Sequence, residues 1–262
     1  GDVRDVLHAA TDAMPGTAGK IAAVVLGAGV FAWTFRIDGQ SQRRLFPPGA
    51  FSFRSAQGLG FWTALLMPVA QSTTSVFLVY ALQFAWHESP LVAGLVASVM
   101  ALSWSGTQFA ISTFGTRWPK SFLIQWGSAL LVVGLLGLVV ALNIHSLVLA
   151  VIAQVAIGAA FGMNWGALSQ VMMEGAAPAE RDATSGLLPT VQAAGYGIGA
   201  AIFGLAANFM GFSLVTGQAL IVVMSGIFLG AAAVALAAWL TAMGMVRRLG
   251  RQSGAIAPQE AA

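Results

Sequence analysis

Apolar residues run along this chain in seven long stretches, at roughly 18–35, 58–85, 91–113, 121–142, 147–172, 185–209 and 214–243, with short polar segments between them. Each is close to or longer than the about 20 residues a helix needs to cross about 30 Å of hydrocarbon. The stretches lack the two-residue alternation of barrel strands. Lipid offers no partner to a free N–H or C=O, so segments of this kind must close their hydrogen bonds internally as helices. The pattern predicts an all-α transmembrane protein of about seven membrane-spanning helices.

Composition agrees and narrows the classes. Charged residues make up 8% of the chain and mean hydropathy is +0.81, so most of the surface faces lipid or another helix. There is no cysteine, which excludes disulfides, thiolate metal sites and a cysteine nucleophile. The basic residues stand singly or in pairs in loops and form no tract, so no nucleic-acid partner is predicted. Residues 1–16 are polar and lack the apolar core of a signal peptide. Because Gly1 is not a start methionine, the chain is expected to begin within a longer protein or to have lost an N-terminal part.

Loop charge sets an orientation. Arg36, Arg43, Arg44 and Arg54 share the loop after the first stretch. Arg117 and Lys120 share the third loop, Arg181 lies in the fifth, and Arg247, Arg248 and Arg251 follow the last stretch. The intervening loops hold Glu88 or no charge. Ten of the twelve Lys and Arg residues thus fall on one side, which the positive-inside rule makes cytoplasmic, together with the C-terminus. Trp33, Trp86, Trp118 and Trp239 lie near stretch ends, where an indole prefers the headgroup level.

The longest loop, 36–54, carries the Pro47-Pro48 pair and divides the chain. Residues 1–54 comprise an outer segment, a lone helix and a basic linker. Residues 55–246 form a six-helix bundle with short connections, so its neighbouring helices run antiparallel. Residues 247–262 form a tail expected to be disordered. No internal sequence repeat is apparent, although a three-plus-three structural repeat is compatible with the spacing.

Several segments resemble one family in order and spacing. Arg43-Arg44-Leu45-Phe46-Pro47-Pro48 is similar to the basic linker before the C-terminal half of fourteen-helix major facilitator superfamily carriers. Ser89-Pro90-Leu91-Val92-Ala93-Gly94-Leu95 resembles the start of the second helix of that half. The run from Pro178 through Glu180, Arg181, Asp182, Ser185 and Gly186 to Leu187, then Gln192, Gly195 and Gly199, resembles its fifth-helix region. The resemblance implies one linker helix plus the C-terminal six-helix half of a drug:proton antiporter. The partners it implies are membrane lipid, an amphipathic small-molecule substrate, a missing N-terminal half, and protons handled through that half. It also implies a bacterial cytoplasmic (inner) membrane and no cofactor.

Polar side chains inside the spans are the candidate site, because hydrocarbon penalises them unless they face an interior. The first helix of the bundle carries Gln71, Thr74 and Ser75 just after Pro68, with Tyr80 further on. Gln71 and Ser75 share a face, and Pro68 lacks a backbone donor and can bend the helix. The fourth helix carries Gln154, Asn164 and Trp165, an amide and aromatic set suited to an amphipathic ligand. The fifth carries Gln192 and Tyr196. In the resembling family the first and fourth helices of each half line the central cavity, which singles out Gln71, Thr74, Gln154, Asn164 and Trp165. Gly158, Gly162 and Gly166, and separately Gly195 and Gly199, have the spacing of close helix contacts. Gly195-Tyr196-Gly197 superficially suggests a dinucleotide loop, but no strand precedes it.

Arg117 and Lys120 sit where the resembling family has its gating loop, without that loop's acidic residue. With Glu180, Arg181 and Asp182 they are the candidate cytoplasmic gate, and positive-inside anchoring accounts for the two cations equally. No Asp or Glu lies mid-span, so a titratable coupling acid is expected outside this segment. His8, His87 and His145 lie in loops or at span edges, and there is no serine-hydrolase or zinc-protease motif. Neither catalytic residues nor a metal site are predicted. A lysine for a retinal Schiff base is absent from the last helix. A non-transporting membrane partner or assembly protein is the alternative, and substrate-stimulated flux separates the two.

Overall fold

Six long apolar helices form the bundle: α1 (Ala56–Phe84), α2 (Pro90–Phe114), α3 (Lys120–Asn143), α4 (Leu147–Glu174), α5 (Arg181–Phe209) and α6 (Gly217–Ile256). The structure, a computed structural model, describes residues 50–114, 118–176 and 181–256. The stretch predicted at 18–35 lies outside the described residues. The other six correspond to predicted stretches, with modest shifts at their ends. The largest discrepancy is at the C-terminus. α6 continues through Arg247, Arg248 and Arg251 to Ile256, so the segment from 247 is helical that far rather than structureless.

Local chemistry explains the ends. Ser55 caps α1 by accepting from the Gly58 N–H at 3.0 Å, and Ser146 caps α4 through the Leu149 N–H at 3.2 Å. Ser89 accepts from the Val92 N–H, and Pro90 occupies the first position of α2, where a missing donor costs nothing. Just past the ends of α1 and α3, His87 and His145 take φ values of 57° and 54°. The Ser146 N–H returns to Ala141 O at 3.0 Å, so at the end of α3 the left-handed turn satisfies a terminal carbonyl.

Inside α1 the helix changes type. A π-helical turn covers Thr74–Leu78, six residues after Pro68. Ser72, Thr73 and Thr74, leading into that turn, each donate a hydroxyl to the carbonyl three residues back, at 2.8–2.9 Å. Such side-chain bonds compete with the backbone ladder, and π turns concentrate at functional positions.

α4 packs chiefly on α3 and α2, and α1 chiefly on α6 and α5, while α3 and α6 pack on each other. Exchanging α1 with α4, α2 with α5 and α3 with α6 leaves this pattern unchanged. The bundle is therefore a three-plus-three structural repeat that the sequence does not display. Close packing and interhelical hydrogen bonds, not the hydrophobic effect, hold helices together in lipid. A Cβ on Gly127 would lie 2.9 Å from Ala160 O, and one on Gly134 would lie 3.1 Å from Ala153 O, so α3 and α4 touch backbone to backbone. Thr63 and Thr241 share a 2.9 Å hydrogen bond between α1 and α6, and Asn143 donates to Ser225 at 2.9 Å between α3 and α6.

Candidate functional site

The bundle interior gathers polar groups from α1, α2 and α4. Gln71 is 5% exposed, and its Nε2 donates to Thr74 Oγ1 at 3.1 Å and to Met100 Sδ on α2 at 3.8 Å. Gln71 Oε1 has no partner among the described residues. Gln154 on α4 is buried with its Oε1 likewise unpartnered. Met100 links these elements, because Gly158, one turn beyond Gln154, packs against its carbonyl. Trp104, also on α2, lies over Phe161 with ring centroids 5.1 Å apart and its indole N–H unpartnered. Met100 and Trp104 did not emerge from the sequence. The only available signal was a tryptophan near mid-span rather than at a headgroup boundary.

Asn164 has a different setting. Its Nδ2 donates to Ile124 O at 2.9 Å and to Ser128 Oγ at 2.8 Å, both on α3. It clamps α3 to α4, although its Oδ1 stays unpartnered. Trp165, half-buried beside it, borders a narrow crevice between α1 and α4 with Thr63, Ala64, Met67 and Pro68. Ser75 is exposed. Tyr80 joins an aromatic cluster, stacked on Phe84 at 4.4 Å and edge-on to Phe212 at 5.1 Å. On α5, Gln192 and Tyr196 are half-buried, and Gln192 Nε2 lacks a partner among the described residues.

The glycines divide by neighbour. A Cβ on Gly162 would sit 2.8 Å from Trp104 O, and one on Gly158 2.9 Å from Trp104 N, so α2 rests directly on α4. Gly195 lies on α1 at Leu65 O and Pro68, and Gly199 lies on α1 at Val69. Gly166, grouped with Gly158 and Gly162 by spacing, has nothing within 4 Å and makes no close helix contact.

Two kinds of surface face outward. α3 and α6 present large apolar side chains, including Trp126, Val133 and Val140, and Val222, Leu229 and Leu240. α2 and α5, the least buried helices, also expose large apolar residues (Leu91, Leu95, Leu102 and Phe109; Ile202 and Phe209), and beside these each carries a stripe of small or polar residues at four- and three-residue spacing. On α2 it runs through Gly94, Ser98, Ala101, Ser105, Gln108 and Ser112, all exposed. On α5 it runs through Gly186, Thr190, Ala193, Gly197 and Ala200, also exposed. Small faces of this kind admit close approach by another helix.

At the basic end Lys120 forms an ion pair with Glu174. Lys120 opens α3 and Glu174 ends α4, so each opposes its own helix dipole and the pair offsets both. Arg181 is exposed at the start of α5, Arg117 and Glu180 lie outside the described residues, and for Asp182 only its place in the first turn of α5 is described.

Six membrane-length helices in a three-plus-three repeat, with unpartnered amides in the interior, define a polytopic membrane protein built around internal polar contacts. The sequence profile of the Major Facilitator Superfamily matches residues 17–200. The chain belongs to that superfamily and is an integral, multi-pass membrane transporter. Neither the curated proteins nor the solved structures include a match to it.

Proposed function

We propose that the chain is the C-terminal half of a secondary active exporter of amphipathic small molecules, driven by protons and working by alternating access. Its place would be a bacterial cytoplasmic membrane, with the arginine-rich end and the C-terminus inside the cell. The observation that carries this reading is the set of interior side-chain amides with open hydrogen-bonding atoms: Gln71 Oε1, Gln154 Oε1 and Gln192 Nε2. A buried polar atom without a partner is costly, and a ligand or water admitted on opening would satisfy it. Neutral amides beside Met100, Trp104 and Trp165 suit substrates of mixed polarity and favour broad selectivity.

The stripes on α2 and α5 support a second half-bundle as the partner. Rocking of one half against the other about a midplane site would alternate access. The π turn in α1 beside Thr74 lies where a gating helix would adjust its register. No described mid-span residue is acidic, so the coupling proton would be carried by the partner half.

The test is export of an amphipathic dye, ethidium, by the complete carrier in proteoliposomes under an imposed pH gradient. Gln71→Ala and Gln154→Ala at equal protein content should each reduce the export rate about tenfold, the loss of one good hydrogen bond in a desolvated site. Export at the wild-type rate by both variants would refute the site, and export indifferent to the pH gradient would refute proton coupling.

A further inference from the structure

At the basic end, away from the interior amides, three arginines converge on one recess. Arg54, Arg248 and Arg251 line a cavity of about 220 Å³ with Ser55 and Ala56. Local structure builds this convergence. The segment before α1 folds back as a hook: Phe53 stacks on Trp62 with centroids 5.0 Å apart, and the Trp62 indole donates to Phe51 O at 2.9 Å. The hook lies directly on Gly58, where a Cβ would stand 2.6 Å from Ser52 N. Arg248 pins it to α6 by donating to Arg54 O at 2.6 Å and to Phe53 O at 3.2 Å. Arg54 is thereby held beside Arg248 and Arg251.

Among the described residues these cations have no carboxylate partner. Among the described residues the only ion pair joins Lys120 to Glu174. Arg248 uses two of its five donors on the hook, which leaves three, and the side chains of Arg54 and Arg251 make no hydrogen bond among the described residues. Ser55 and Ala56 are also at the N-terminus of α1, where backbone N–H groups favour an anion. An uncompensated trio of guanidinium groups around a recess is the chemistry that binds a phosphodiester.

The surroundings identify the source of that phosphate. Leu229, Leu236 and Leu240 face outward along α6 at seven- and four-residue spacing, and Arg247 and Arg251 continue the same stripe. At 1.5 Å per residue, Leu236 lies about 16 Å along the helix from Arg247, close to the about 15 Å depth of one leaflet's hydrocarbon. A second recess, sharing Ser55 and Ala56 with the first, is walled by Val171, Met172, Met245 and Leu249. An anionic head would therefore meet the arginines while its acyl chain lay on leucine. We propose that this recess binds the phosphate of an anionic phospholipid whose acyl chain lies along α6.

The test is native mass spectrometry of the full chain in detergent, offered equal amounts of dioleoylphosphatidylglycerol and dioleoylphosphatidylcholine. The wild type should retain the anionic lipid preferentially. Arg54→Gln with Arg251→Gln, which spares the Arg248 pin, should weaken that retention about twenty-fold and leave the zwitterionic lipid unaffected. Arg251→Gln alone, at an exposed side chain that makes no hydrogen bond among the described residues, should weaken it about five-fold. Unchanged preference in both variants would overturn the site. Displacement of the anionic lipid by equimolar inorganic phosphate would overturn the lipid as its occupant.

Discussion

Asn164 and Gln71 show how much a side chain's neighbours decide. Both are buried amides on helices that the family resemblance places at the cavity. Asn164 donates twice to α3, so its main work is to fix the α3–α4 contact. Gln71 spends one donor group on its own helix and on a methionine sulfur, and keeps its carbonyl open. A double-mutant cycle between Asn164 and Ser128, read as unfolding free energy in detergent, should show coupling of about 0.6–1.7 kcal/mol. The same cycle between Gln71 and Ser128 should show none. Glycine position is equally decisive. Gly162→Ala pushes a methyl group into the Trp104 carbonyl and should cost about 1–3 kcal/mol, measured by denaturation. Gly166→Ala meets open space and should stabilise α4 by about 0.5–1 kcal/mol.

At the scale of the helix, the polar residues of α1 do more than decorate one face. Ser72, Thr73 and Thr74 each take a carbonyl of the preceding turn, and the ladder widens into a π turn directly afterwards. The Lys120–Glu174 pair belongs to this scale too, since its energetics are those of two helix ends. Both side chains are partly exposed, so breaking the pair with Lys120→Gln should change stability by less than about 1 kcal/mol. Reversing it, with Lys120→Glu and Glu174→Lys, retains the attraction and aligns both charges with their dipoles. The melting temperature of the double variant should match or exceed the wild type, and a clear drop would show that the pair has a role beyond local electrostatics.

For the molecule as a whole, the exposed surface is of two kinds, and they predict different neighbours. The leucine and tryptophan surfaces of α3 and α6, with the exposed Leu91, Leu95, Leu102 and Phe109 of α2, suit lipid, whereas the glycine, alanine and serine stripes of α2 and α5 suit another helix. This chain has no native cysteine, so it contributes no background to single-cysteine labelling. In the assembled carrier, cysteines at Ser105 and Ala193 should be shielded from a maleimide carried by a lipid-soluble spin label, and one at Leu240 should react. Equal reaction at all three would remove the case for a second half-bundle.

The six described spans and their approximate lengths were legible from hydropathy alone, and the separation of basic from neutral loops from charge. The bilayer makes that possible: its thickness sets the length of a span, and its lack of hydrogen-bonding groups permits only a helix. The pairing of helices was not legible, because nearly every face of a span is apolar and periodicity cannot say which one meets a neighbour. Gly127 and Gly134 passed unnoticed among other small residues, while Gly166 matched a pattern yet faces open space. The clamp that Asn164 makes was not legible, because one sequence cannot show that Ile124 and Ser128 lie across from it. The sequence by itself determined that this chain threads a membrane as helices and which end collects the arginines. Tertiary structure decided which amides remain open, which glycines touch a backbone, and that Arg54 meets Arg248 and Arg251. Those are properties of distances between segments far apart in the chain, and in lipid they follow from packing, which no single stretch encodes.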